Sequence, residues 1–96
     1  MLIAKVIGTT VSTVKEPTLE GRKLLILRQT DVDGKPFGKP YVAVDTLDAG
    51  TGDLVLTAHG SSGRQTSLTQ NRPVDAVIMA VVDHLSVHGE VTYRKE

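Results

Sequence analysis

Residues 74–85 read VDAVIMAVVDHL, and the reading of this stretch decides the fold class. Its length and the preceding Asn71-Arg72-Pro73 suit a helix start, with Pro73 near the first helical position. Its composition opposes that. Val74, Val77, Val81, Val82 and Ile78 are β-branched, and such side chains fit a pleated surface better than a helix. We read the stretch as one long strand. Ala76 to Val82 is apolar without interruption. A strand with one face in water alternates apolar and polar residues, so this one demands cover on both faces.

Working outward, the same feature recurs. Leu24 to Leu27 and Leu54 to Leu56 are further unbroken apolar runs. Between them lie turn signals. EPTLEGRK (16–23) is a loop, DVDGKPFGKP (31–40) a hairpin connection and LDAGTGD (47–53) a glycine-rich turn. The strands they separate are the first, within residues 2–14, then KLLILRQT (23–30), YVAVDT (41–46) and LVLTAH (54–59). SLTQNRP (67–73) suits a short helical turn, and GEVTYRK (89–95) a final short strand. The expected fold is mostly β: a small five-stranded barrel, like the oligonucleotide-binding fold, with one short helical turn. No long amphipathic helix is available to cover the outer faces of the apolar strands. Other copies of the chain would cover them, so obligate homo-oligomerisation is expected.

Composition narrows the function. The chain has 96 residues, the length of one small domain, and we read 1–96 as a single domain. Eleven basic and eleven acidic residues cancel, leaving no excess charge for a phosphate backbone. Phe37, Tyr41 and Tyr93 are too few for a base-stacking platform. There is no cysteine, which excludes disulfides and thiolate chemistry and fits a reducing, cytoplasmic location. The N-terminal MLIAKVIGTT is too short and too polar for a signal peptide or membrane span. Neither nucleic acid nor a membrane is an expected partner.

The candidate chemistry is thin. His59 precedes GSSGRQT (60–66). A nucleophile elbow needs Gly-x-Ser-x-Gly, and Gly60-Ser61-Ser62-Gly63 lacks that spacing. With Arg64 the loop could form an anion cup, but an arginine bonded to carbonyls or to a carboxylate is the simpler reading. DVDG lacks the later ligands of a calcium loop. His84 and His88 share a face on a strand but stand about 13 Å apart, too far to hold one ion. We expect no catalytic residue, no metal and no cofactor. A small barrel that binds a ligand or nucleic acid stays open as the alternative.

Three stretches in order, AVDTLDAGTGDLVL (43–56), GSSGRQ (60–65) and RPVDAVIMAVVD (72–83), resemble the bacterial microcompartment vertex proteins, the pentameric shell proteins of carboxysomes and of ethanolamine- or propanediol-type compartments. AKVIGTTVSTVKEPTLEGRKLLIL (4–27) extends the likeness to nearly the whole chain. The resemblance implies a structural, non-catalytic homopentamer. It would cap the five-fold vertices of a cytoplasmic shell and seal facets made of hexameric shell proteins. It also implies site residues. Gly60, Ser61, Ser62, Gly63, Arg64 and Gln65 would form a subunit-interface or pore loop. Asp45, Asp48, Gly50 and Gly52 would form a structural turn. Pro73 and Asp75 would start the long strand. Gly63 stands where that family usually has alanine, and Asp48 where it usually has glycine. Aspartate suits a positive φ better than most residues do.

Overall fold

The computed structural model describes residues 1–10, 23–59 and 76–95. The described residues form seven strands and no helix: β1 (Leu2–Thr9), β2 (Lys23–Gln29), β3 (Tyr41–Asp45), β4 (Leu54–His59), β5 (Ala76–Val81), β6 (His84–Val87) and β7 (Glu90–Arg94). The first five close into a barrel in the order β1-β2-β3-β5-β4, with β4 returning to β1. All neighbouring pairs are antiparallel except β3 and β5, which meet in parallel at Val44 and Val77. The expected five-stranded barrel is therefore present. The helical turn expected within residues 67–73 lies outside the described residues.

The strands form because each carries an inward row. Ala4 and Val6 of β1, Leu25 and Leu27 of β2, Ala43 of β3, Val55 of β4, and Ala76 and Ile78 of β5 pack together in the centre. Successive residues point to opposite faces. Alanine at three of these positions leaves room for the leucines across a narrow barrel. Fully burying one such leucine contributes about 1.5–3 kcal/mol. Two β-bulges bend the wall, one at Ile7 between the pairs Val6–Leu27 and Gly8–Ile26, one at Met79 between Ile78–Thr57 and Ala80–Leu56.

One sequence expectation needs correction. The long strand through Leu85 is broken. β5 ends at Val81 because its partner β4 starts at Leu54: Val82 N–H donates to Leu54 O at 2.9 Å, and no further β4 residue remains to pair. The chain then turns at Asp83, and β6 begins a separate hairpin with β7. The connection is the two-residue turn His88-Gly89, with φ of 51° and 81°, as a hairpin matching strand twist requires.

That hairpin docks on loops of the barrel. Thr92 Oγ1 donates to Val32 O at 2.6 Å, and Lys95 N–H donates to Asp83 O at 2.8 Å. Gly34, at φ +84°, sits against Leu54 and Tyr93, where a built Cβ would stand 3.5 and 3.6 Å from their carbons. The loop that Gly34 serves is set by Asp31, whose Oδ1 accepts the N–H groups of Asp33 and Lys35.

Candidate assembly surface

The apolar runs that lack alternation place a second apolar row on the outside of the barrel. Leu25 and Leu27 point inward, so Leu24 and Ile26 point outward. Leu24 pairs with Val44, and Ile26 with Val42. Val44 in turn pairs with Val77, and Val77 with Ala58. Leu24, Val44, Val77 and Ala58 thus make one transverse row across four strands, packed as a cluster of its own. The parallel row toward the other end of β2 is open. Ile26 lies half-buried over Gly8, and Val42 is 47% exposed in the isolated protomer. The bulge residues Ile7 and Met79 are also more than 40% exposed. A bulge re-aims a side chain, and here both barrel bulges put a large apolar residue in water.

The glycine-rich turn leaves β3 at its Val44–Asp45 end. Asp45 is buried, yet its carboxylate is satisfied: Oδ1 accepts Leu47 N–H at 2.9 Å and Oδ2 accepts Ala49 N–H at 2.8 Å. Asp53 works in the same way on the far side, accepting Gly50 N–H on Oδ2 at 2.9 Å while its own N–H donates to Gly50 O. Gly52 N–H donates to Val6 O, and Val6 N–H to Asp53 O, which ties the turn to β1. Gly52 has φ +96°, and Asp48 has φ +60°. Aspartate at position 48 meets this backbone demand better than most residues would. Asp48 also bonds the Lys23 ammonium at the start of β2. That hydrogen bond lowers the Asp48 carboxyl below the usual carboxylate range and raises Lys23 above its ordinary value.

Of the site residues expected from sequence, Asp45, Asp48, Gly50 and Gly52 come together in this one turn. Gly60, Ser61, Ser62, Gly63, Arg64, Gln65, Pro73 and Asp75 lie outside the described residues. Among the described residues no group of three His, Cys, Asp or Glu side chains could hold a metal.

Sequence reasoning missed a polar chain at the barrel end. Thr57 Oγ1, fully buried, lies 3.1 Å from Tyr41 Oη and 2.6 Å from His59 Nε2. The Tyr41 and His59 rings meet edge to face, 4.8 Å between centroids. Burial pushes the Tyr41 phenol above its ordinary pKa. Thr57 and His59 stand two apart on one strand, so their shared face is legible. The contribution of Tyr41 depends on barrel closure.

Comparison with known proteins bears on this surface. Residues 1–83 match the family model described as ethanolamine utilisation protein EutN/carboxysome. The chain is 42% identical over 95 residues to the carboxysome shell vertex protein CcmL of Synechococcus elongatus, covering 99% of this chain and 96% of that one. It is 39% identical over 95 residues to the bacterial microcompartment shell vertex protein EutN of Salmonella typhimurium, with the same shares covered. Among solved structures it resembles the GrpN pentameric microcompartment shell protein of Rhodospirillum rubrum, with a TM-score of 0.77 and 39% identity over 91% of this chain and 99% of that one.

Proposed function

Because the chain belongs to the EutN/carboxysome family, we propose that it is a structural shell protein whose five copies close a ring at the vertex of a bacterial microcompartment. Hexameric units tile flat facets, and a sheet of hexagons cannot close a polyhedron. A five-fold unit at each corner removes the excess angle. The ring would seal the corner between facets in the cytoplasm and would act by shape and contact, without catalysis.

The observation that carries this reading is the outer apolar surface on a barrel already filled inside. The interior is occupied by Ala4, Val6, Leu25, Leu27 and Ile78, all at most 1% exposed, so the fold has no need of a ligand to complete its core. Ile7, Ile26, Val42 and Met79 lie on the outside instead. Covering them with a neighbour recovers roughly 25 cal/mol per Å² of apolar area, against the cost of association. Cyclic symmetry requires a head-to-tail contact that closes after five steps. Two different patches must therefore meet. In this reading one is the row with Ile26 and Val42, and the other includes the loop with Arg64, whose planar fork can hold two acceptors on the neighbouring copy.

Native mass spectrometry tests the proposal. Chains of 10.3 kDa in a closed ring of five give about 52 kDa. A monomer or dimer at micromolar concentration would sink it. Arg64→Ala is expected to loosen the ring, and an unaffected ring removes that role from Arg64.

A further inference from the structure

We propose that Lys5 and Arg28 decide what the outer apolar wall of the barrel accepts: they turn away a second wall and admit a carboxylate-bearing surface of the next copy. This rests on the ring proposed above and deepens it. Lys5 and Arg28 are cross-strand partners on β1 and β2. Ala4, Val6 and Leu27 beside them point into the core, so both cations point outward, where they are half-buried. Arg28 stands two residues from Ile26, and Lys5 two residues from Ile7. The pair therefore borders the open apolar row that runs from Ile26 to Val42.

Like charges directly opposite each other destabilise a sheet. Among the described residues neither cation makes an ion pair. Arg28 is held in place without being neutralised. Its Nε donates to Gly38 O at 2.8 Å, which leaves the outer nitrogens of the guanidinium for another acceptor. The wall supplies no such acceptor. Asp45 is the only acidic residue on the five barrel strands, and it is buried and committed to Leu47 and Ala49 N–H. Lys23, at the other end of β2, is matched by Asp48. The loop that carries Gly38 is neutral, with Asp31 and Asp33 against Lys35 and Lys39. The remaining carboxylates among the described residues, Asp53, Asp83 and Glu90, lie off the barrel strands or on the β6–β7 hairpin.

This distribution selects the partner. A two-fold contact places one patch against itself. Wall against wall would gather both cation pairs in one apolar contact, which like-charge repulsion opposes. A head-to-tail contact brings a different patch, and the exposed carboxylates of the described residues all lie off the wall. The apolar row supplies adhesion, and the cations reject the wrong pairing.

Sedimentation of the full chain at matched concentration, with native mass spectrometry to count subunits, tests this. The wild-type ring is expected to dissociate more readily as salt rises from about 0.05 M to about 0.5 M. Arg28→Glu is expected to raise the concentration at which the ring half-dissociates at least about tenfold. Arg28→Lys keeps the charge and is expected to stay within about threefold of the wild type. Replacing both cations, Lys5→Met with Arg28→Met, is expected to admit even-numbered species built by wall-on-wall contact. Circular dichroism checks folding, and the double replacement decides the matter if Arg28→Glu does not fold. A salt-independent ring, an unchanged ring in Arg28→Glu, or no even-numbered species from the double replacement would overturn the proposal. So would Arg28→Lys failing as Arg28→Glu does, since that would assign Arg28 to the Gly38 bond alone. A wild-type chain that forms no ring overturns the shell proposal and this one together. A stable ring indifferent to Arg28→Glu overturns this one alone.

Discussion

The Asp45 carboxylate holds Ala49 N–H at 2.8 Å inside the turn that leaves β3, and only 4% of Asp45 is exposed. Its other oxygen holds Leu47 N–H. Both donors need this acceptor because the turn offers no ladder partner. Asp45→Ala is therefore expected to destabilise the protein by about 1–3 kcal/mol, the cost of leaving buried donors unmade. Urea unfolding at matched protein concentration measures it. A change within error would mean that water or backbone replaces the carboxylate.

Asp48 tests the backbone of the same turn. At φ +60°, Asp48→Gly is expected to change stability by less than about 1 kcal/mol, since glycine adopts this conformation freely. Asp48→Val is expected to cost about 1–2 kcal/mol, because a β-branched residue is strained there. Thermal unfolding of the pair compares them, and equal melting temperatures would contradict the strain.

Acid titration reads two carboxylates. The Lys23 ammonium holds Asp48 below the usual range, and Lys35 N–H does the same for Asp31. A depressed folded pKa contributes stability that is complete above the unfolded value and is lost as pH falls through the folded one. Both groups are exposed, so the effect is small and, for Asp48, weakened by salt. Carboxyl carbon NMR is expected to show both titrating below an ordinary aspartate. Asp48→Asn is expected to bring Lys23 back toward its ordinary value. Ordinary midpoints at both carboxylates would refute the assignment.

Substitutions in the polar chain should rank in a definite order. Tyr41→Phe removes one hydroxyl from the half-buried contact with Thr57 and is expected to cost about 0.5–1.5 kcal/mol. Thr57→Val removes the bridging oxygen itself, taking a partner from both Tyr41 and His59. It is expected to cost more than Tyr41→Phe. The reverse order in denaturant unfolding would show that Thr57 is not the shared centre.

The barrel strands are legible in the sequence because their evidence is local. β-branched residues and glycine-rich turns mark β2, β3 and β4 at nearly their observed bounds. The doubled apolar runs at Leu24–Leu27 also foretell the outer row, since an unbroken run must fill both faces of a strand. The end of β5 is different. It is fixed by where β4 begins, at Leu54, and no property of Val81 or Val82 announces it. The His88-Gly89 turn carries a weak signal, because histidine accepts a positive φ more readily than most residues and glycine does so freely. In the candidate site, Gly52 follows from turn chemistry, whereas Asp45 is reached only through the resemblance. Tyr41 beside His59 follows from neither, because their approach is a product of curvature.

Closure of the barrel decides how this chain can meet its copies. Each of the five barrel strands has a partner on both sides, most thinly between β3 and β5, which meet at the single pair Val44–Val77. The short hairpin of β6 and β7 lies outside that closure, is interrupted at Thr92 and carries His84, Glu90 and Arg94. Bulged, short and charged edges resist strand addition. Growth into fibres through the backbone ladder is thereby disfavoured among the described strands. Association is left to side-chain surfaces, whose shape can stop the count at a fixed number of subunits.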